Sequence, residues 1–183
     1  MKRKLALLLT LLMCVGIGCP AGALEINGAR GAGGTVRRGY YYNGNVSFKL
    51  PGAAWTESSA VAYDDHDEIL LSGTADVNGF IPSMYIQINS ETWDIDAGFE
   101  DIGIANSIRV ANQTFTVNDE IRAHYDCYLE NDTDGRMGLD YLIWFNCGDY
   151  GVAIYYYTFA ATRSIPDDLP ALDDVVASFT IGQ

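Results

Sequence analysis

Residues 121–159 read IRAHYDCYLENDTDGRMGLDYLIWFNCGDYGVAIYYYTF and have the strongest β pattern in the chain. From Ile121 to Leu129, apolar and polar residues alternate, which is typical of a strand with one buried face and one wet face. Tyr141 to Cys147 and Val152 to Phe159 are apolar or aromatic at consecutive positions, as in central strands that are covered on both faces. The stretch therefore predicts three long strands.

Shorter strands and two helices are predicted around this stretch. Strand patterns occur at Val46–Leu50, Ser59–Tyr63, Glu68–Ala75, Ile81–Ile88 and Phe179–Ile181. Helical spacing relates Ile95, Phe99, Ile102 and Ala105, and again Leu172, Val175, Val176 and Phe179. This order predicts an α+β fold in which helices cover an antiparallel sheet, and an all-β sandwich is the alternative.

The N-terminus has the pattern of an export signal. Basic residues 2–4 precede the apolar run Leu5–Val15, and small residues follow up to Ala23. The run is shorter than the roughly 20 residues that a transmembrane helix needs. We therefore predict that residues 1–23 are a signal peptide and that the protein is secreted. Alternatively, Gly16-Ile-Gly-Cys19 resembles a lipobox, and a lipid on Cys19 would anchor the protein at the outer face of a bacterial membrane.

The rest of the chain divides into a glycine-rich segment and one domain. Residues 24–44 are predicted to be a flexible tether, and residues 45–183 a single domain. The net charge is −13, and it becomes −16 without the three basic residues of the signal, because 8 basic residues then face 24 acidic ones. Such a charge repels phosphate backbones and anionic lipids, which argues against nucleic-acid binding and leaves only a lipid at Cys19 for membrane contact.

Three segments together resemble a known family. They are Phe48-Lys-Leu-Pro-Gly-Ala-Ala-Trp55, the hairpin around Gly148-Asp-Tyr-Gly151, and the closing helix and strand from Leu172 to Ile181. Over about residues 45–182 the chain resembles the PsbP-like family, which groups the extrinsic photosystem II protein with bacterial exported and lipoprotein relatives. The resemblance implies an α/β/α sandwich and an accessory or binding role, mostly without enzymatic activity. It supplies no shared catalytic motif.

The cysteines beyond the predicted signal are Cys127 and Cys147. Outside the cytoplasm two cysteines favour a disulfide. If the strands that contain the two cysteines are neighbours, a tight Asp134-Gly135 turn sets a register in which the numbers of two paired residues add up to 269. A disulfide needs Cys127 and Cys147 nearly opposite each other, which requires a register with a sum near 274. The two features exclude each other, and the oxidising compartment favours the Cys127–Cys147 disulfide.

Two acidic runs are weak candidates for a cation site. The candidate ligands are Asp64, Asp65, Asp67, Asp132 and Asp134. In the first run, which includes His66, consecutive side chains diverge, so a solvated hairpin loop is favoured. The second run lacks the calcium-loop glutamate where Tyr141 stands, so an Asp-Gly turn is favoured. No metal or other cofactor is predicted.

The remaining candidates are two histidines and a set of aromatic side chains. His66 and His124 lie in no hydrolase or metalloprotease motif, although His124 with Asp126 and a distant serine would make a hydrolase conceivable. Aromatic residues that could stack on sugars or a peptide are Tyr141, Trp144, Tyr155, Tyr156 and Tyr157, of which Tyr155 and Tyr157 share one strand face. No catalytic residue is assigned. We predict an exported, non-catalytic accessory or binding protein for an unknown protein or small ligand; the alternative is a secreted hydrolase or metal-dependent enzyme.

Overall fold

The computed structural model describes residues 34–52, 54–63, 66–75, 79–96, 107–131, 137–160 and 169–182. Within these ranges the chain forms eleven strands and one helix. The elements are β1 (Thr35–Arg37), β2 (Tyr40–Tyr42), β3 (Val46–Lys49), β4 (Trp55–Ala62), β5 (His66–Gly73), β6 (Ser83–Asn89), β7 (Ser107–Val117), β8 (Ile121–Asn131), β9 (Met137–Cys147), β10 (Tyr150–Ala160), α1 (Leu169–Ser178) and β11 (Thr180–Ile181).

The strands form two antiparallel sheets. The large sheet has seven strands in the order β4-β5-β6-β10-β9-β8-β7, and the small sheet has four in the order β1-β2-β3-β11. The three long strands predicted from residues 121–159 are β8, β9 and β10, and they pair consecutively as two hairpins. This part of the sequence prediction is confirmed.

One face of the large sheet, which we call the core face, shares the main hydrophobic core with the small sheet and α1. On β9 this face carries Leu139, Tyr141, Ile143 and Phe145. Phe48 of β3 is fully buried in the same core, with its ring centroid 5.1 Å from that of Tyr41 and 5.0 Å from that of Phe179. Aromatic stacking therefore joins the small sheet to the end of α1.

The predicted α+β fold is wrong, and so is the α/β/α sandwich that the resemblance implied. The described residues are mostly strand and contain one ten-residue helix, and two antiparallel sheets share the core, which points to an all-β fold. The helical spacing that ends at Phe179 is confirmed by α1, whose Leu172, Val175 and Val176 are buried. The other predicted helix lies largely outside the described residues, in 97–106.

The folded domain begins before residue 45. Residues 35–42, predicted to belong to a flexible tether, form β1 and β2. Tyr41 is fully buried, and its hydroxyl donates a hydrogen bond of 2.5 Å to Glu57 Oε2 on β4. Burial of this large aromatic side chain stabilises two strands of only three residues each.

The predicted Cys127–Cys147 disulfide is absent, and both cysteines are free thiols. Strands β8 and β9 pair residues whose numbers add up to 268, with Cys127 opposite Tyr141, so the tight-turn register is also wrong by one residue. Cys147 lies on the core face as well, but six positions beyond Tyr141 along β9. That offset corresponds to roughly 20 Å, far more than the Cα separation of about 4.4–6.8 Å that a disulfide requires.

We expect two titratable thiols per chain in protein that lacks residues 1–23. The physical reason is the β8–β9 register, which holds Cys127 and Cys147 too far apart to react with each other. The measurement is a thiol titration in denaturant without reductant, with a reduced sample as the control. Protein that yields no thiol until it is reduced, and that stays monomeric, would contradict the register.

Candidate functional site

The opposite face of the large sheet, which we call the polar face, combines a small apolar centre with buried polar side chains. Across β8, β9, β10 and β6 one row of directly opposed residues runs Asp126, Leu142, Tyr155 and Tyr85. The buried apolar members of this face are Ile95, Tyr128, Leu142, Trp144 and Ala153. Because charged groups are rarely buried without a specific partner, the polar members of this face are the first candidates for function.

The segment after β6 crosses the polar face near one end. Asn146 on β9 binds the backbone of Trp93, accepting a hydrogen bond from its N–H at 2.7 Å and donating one to its carbonyl at 2.9 Å. Gly151 lies beneath, where a Cβ would be 2.5 Å from the carbonyl oxygen of Glu91. A glycine is therefore required for this close approach of segment and sheet.

Asp140 and Tyr155 form a buried acid–phenol pair on the polar face. Asp140 is completely buried, and its Oδ1 accepts a hydrogen bond from the Tyr155 hydroxyl. Its Oδ2 has no hydrogen-bond partner among the residues that the structure describes. Burial raises the pKa of Asp140 to about 7, the Tyr155 hydrogen bond opposes this rise, and the charge of Glu130 adds to it. Asp140 therefore exchanges its proton near neutral pH, as an acid–base group does.

Asp126 and His124 belong to a second polar network, towards the β7 edge. Arg109 donates two hydrogen bonds to Asp126 Oδ1, at 3.0 Å from Nε and 2.6 Å from Nη2. His124 Nε2 lies 3.6 Å from the same oxygen and 3.0 Å from the amide nitrogen of Asn112, which also binds Asp126. Burial raises the pKa of Asp126, although Arg109 opposes the rise.

This network resembles a structural hydrogen-bond cluster more than the catalytic triad of a hydrolase. Thr114 Oγ1 lies 3.4 Å from His124 Nδ1, so a hydroxyl, an imidazole and a carboxylate follow one another. However, the Asn112 amide nitrogen lies 3.0 Å from His124 Nε2 and also donates to Asp126 Oδ1, the oxygen that Arg109 binds. The Asp126 carboxylate is therefore shared among Arg109, Asn112 and His124, whereas the carboxylate of a triad is dedicated to orienting the imidazole.

A third polar group lies across β5 and β6. His66 is buried, its Nε2 lies 3.1 Å from Glu68 Oε1, and its ring stacks on Tyr63 with centroids 4.6 Å apart. Burial raises the pKa of Tyr85 first, and a hydrogen bond to Glu68 adds to this rise. These residues form a connected set on the polar face rather than a solvated loop.

Of the candidate cation ligands, only Asp67 lies within the described residues. His66 begins β5, and the next residue, Asp67, is buried on the core face opposite Ile88, whereas His66 and Glu68 lie on the polar face. Outside the described residues lie Asp64, Asp65, Asp132 and Asp134. Within the described ranges, no three His, Cys, Asp or Glu side chains are placed to hold a metal ion.

The predicted aromatic surface lies on the polar face but is partly covered. Tyr155 and Tyr157 are half-buried on the same face of β10, and the Tyr155 hydroxyl is engaged by Asp140. Trp144 is buried on this face, whereas Tyr141 and Tyr156 are buried in the main core. A hollow between Tyr85, Trp144 and Tyr155 measures only about 10 Å³, enough for about one water molecule.

A larger concave surface lies on the small sheet, where the sequence predicted a tether. Tyr40 and Tyr42 are 47% and 55% exposed on the outer face of β2, and Tyr40 is directly opposite Lys49 of β3. Beside them is a groove of about 220 Å³, which we call the basic groove. Its lining residues are Arg38, Gly39, Tyr40, Lys49, Leu50, Pro51, Gly52 and Asp174.

Several hydrogen bonds hold the walls of the basic groove. The backbone N–H of Leu50 donates to the Gly39 carbonyl at 2.8 Å, which ties the end of β3 to the β1–β2 turn. The Trp55 indole donates to the Pro51 carbonyl at 2.5 Å. Lys49 and Asp174 form an ion pair across the groove, and the hydrogen bond to Asp174 raises the pKa of Lys49.

No protein-family model matches the chain, and no curated protein is significantly similar to it. Among the helices that the structure describes, none has the length and apolar character needed to cross a membrane.

Proposed function

We propose that the protein is an exported, non-catalytic binding protein that takes its ligand on the outer face of the small sheet. The observation that carries this proposal is the exposure of Tyr40 and Tyr42 on an ordered strand beside the basic groove. Exposed aromatic rings on a rigid element offer a large contact area at low entropic cost, and they mark binding surfaces more often than single exposed aliphatic residues do.

The size of the basic groove supports a ligand that extends beyond it. Its volume of about 220 Å³ is roughly twenty times that of the hollow on the polar face. It is still smaller than the pockets of about 300–1,000 Å³ that enclose drug-sized molecules. The groove would therefore hold one end of a longer ligand, while Tyr40 and Tyr42 contact the next part of it.

The PsbP-like resemblance supports the same role in a limited way. It implies an accessory or binding protein, which agrees with a proposal that assigns no catalytic residue. The α/β/α sandwich that the resemblance implied is not found, because the described residues form two antiparallel sheets. Export, and release rather than anchoring through Cys19, remain part of the proposal on the strength of the N-terminal pattern.

A double variant, Tyr40→Ala with Tyr42→Ala, tests the binding surface. We would screen small molecules and oligosaccharides by thermal shift against the purified protein and measure the hits by calorimetry. We expect the double variant to bind the hits at least tenfold more weakly with an unchanged melting temperature, because both side chains are exposed. Ile108→Ala, exposed on β7 of the large sheet, is the control and should bind normally. Hits that bind the double variant as tightly as the unaltered protein would overturn the proposal.

A secreted hydrolase is the second function that we propose, and one observation favours it. Asp140 is paired with Tyr155, which lines the hollow, and its pKa of about 7 suits a general acid or base at neutral pH. Chromogenic ester, glycoside and peptide substrates test this function. Hydrolysis that falls at least a hundredfold in Asp140→Asn and survives Tyr40→Ala would support the hydrolase, and hydrolysis unaffected by Asp140→Asn would contradict it.

A further inference from the structure

We infer that the basic groove binds an oligosaccharide that bears an isolated anionic group, and that Arg38 contacts the anion. This inference rests on the proposed binding function and names the class of its ligand. The first observation is charge: the structure describes five basic residues, and three of them, Arg37, Arg38 and Lys49, surround Tyr40. The other two, Arg109 and Arg122, pair with acidic residues of the large sheet and its crossing segment.

The backbone at Arg38 is the second observation. Arg37 pairs with Tyr40, so Arg38 and Gly39 form a two-residue turn, with φ of 54° and 79°. A turn of this kind favours Asn, Asp or Gly at its first position, because a longer side chain in the left-handed region is strained. Strain that is retained at one position is a sign of function when the side chain faces a site.

The side chain of Arg38 is available for a ligand. It lines the basic groove, and it forms no hydrogen bond or ion pair in the part of the chain that the structure describes. A guanidinium presents paired N–H donors that match the oxygens of a carboxylate or phosphate. An anion in the groove would therefore gain a charge-assisted contact without breaking an existing one.

The neighbouring ion pair limits how much anionic charge the groove accepts. Lys49 and Asp174 are 45% and 57% exposed, so their pair is solvated and weak. The groove lining holds two cations, Arg38 and Lys49, and one carboxylate, Asp174. This balance suits an isolated anionic group, whereas the overall charge of −13 repels dense polyanions and anionic membranes.

The aromatic residues favour a sugar as the body of the ligand. Tyr40 and Tyr42 are two positions apart on one face of β2, which separates them by about 7 Å. Their exposed rings offer flat apolar surfaces, and each hydroxyl can bind the polar rim of a sugar ring. Tyr40 lies between Arg37 and Lys49 in the sheet, so ring stacking and anion contact fall within one ligand.

The test compares matched oligosaccharides on the purified protein by calorimetry. The probes are an oligosaccharide with a single uronic acid, the same oligosaccharide with that carboxylate reduced to an alcohol, and a saccharide that bears a single phosphate. We expect the two acidic probes to bind at least tenfold more tightly than the neutral one, with affinity that weakens as salt is raised. Preference between carboxylate and phosphate probes identifies the source of the anion.

Variants of Arg38 distinguish a loss of anion binding from a loss of folding. Arg38→Asn should bind acidic probes at least tenfold more weakly while its melting temperature rises by a few degrees, because Asn suits the turn. Arg38→Lys keeps the charge and should lose affinity only a few fold. Arg38→Gly, which also suits the turn, repeats the test if Arg38→Asn folds poorly.

The outcomes distinguish this inference from the proposed function. The inference would be overturned if neutral and acidic probes bound equally well, or if acidic probes bound Arg38→Asn and Arg38→Gly as tightly as the unaltered protein. In either case the proposed function stands if binding still depends on Tyr40 and Tyr42. Acidic probes that bind equally well without Tyr40 and Tyr42 would overturn both. Failure of all three saccharides to bind would also overturn the inference, while a Tyr40-dependent hit of another chemistry would keep the binding surface.

Discussion

Phe48→Ala is expected to lower the free energy of unfolding by about 3–5 kcal/mol, the range for large-to-small changes at buried aromatic positions. Phe48 is fully buried and stacks on both Tyr41 and Phe179, so its removal opens a cavity where the small sheet meets α1. Each lost aromatic contact adds about 0.5–1.5 kcal/mol to the lost burial. Because the small sheet has strands of only two to four residues, few other contacts can compensate.

Urea unfolding of Phe48→Ala and of a control measures this effect. Tyr42→Ala removes an aromatic ring of the same sheet that is mostly exposed, and it should change the free energy of unfolding by less than about 0.5 kcal/mol. A loss below about 1 kcal/mol in Phe48→Ala would mean that the two sheets are not joined through this stack. Two separate transitions would show that the small sheet unfolds first.

Asp140→Asn is expected to stabilise the protein at pH 8 and to flatten its stability between about pH 4 and pH 7. The pKa of Asp140 is about 7 in the folded protein, against about 3.9 for an unperturbed aspartate. The folded state therefore holds its proton more tightly than the unfolded state does. The contribution of Asp140 to the free energy of unfolding is fully present below about pH 4 and is lost as the pH rises through about 7. The total loss is at most about 4 kcal/mol.

The measurement is the free energy of unfolding at pH 5 and pH 8. Asparagine mimics the neutral carboxyl and keeps an oxygen that accepts from Tyr155, so the variant should exceed the unaltered protein at pH 8 by about 1–4 kcal/mol. Asp149→Asn, at an exposed turn residue, is the control and should keep the unaltered pH dependence. A variant that is less stable at pH 8 would show that the ionised carboxylate is stabilised in the fold.

The elements whose buried residues recur at a regular spacing were predictable from the sequence. Strands β9 and β10 are covered on both faces, so their apolar runs identify them, and α1 buries one face at helical spacing. Strand β7 was missed because it is an edge strand whose side chains are mostly exposed, so it has no apolar alternation. The predicted fold class was wrong because β1 and β2, which belong to the second sheet, have three residues each, too few for the alternation of a strand to be recognised in the sequence.

The candidate sites depended on features that a sequence does not display. Asp140 lies in an apolar run, and only the register shows that it meets Tyr155 on the polar face. Tyr40 and Tyr42 were included in the tether because the surrounding glycines suggested flexibility. The Arg38-Gly39 pair between two short β segments was the available signal for a turn, but a positive φ at Arg38 does not follow from residue type.

The small sheet is built from both ends of the described chain, which affects how the protein folds. Strand β11 pairs with β3, and the hydroxyls of Ser47 and Thr180, 133 positions apart, lie 2.8 Å from each other. Such contacts give a high contact order, and domains of this kind fold in milliseconds to seconds rather than microseconds. Strands β3 and β11 belong to one sheet, so the shared core closes only once the chain has been made as far as β11.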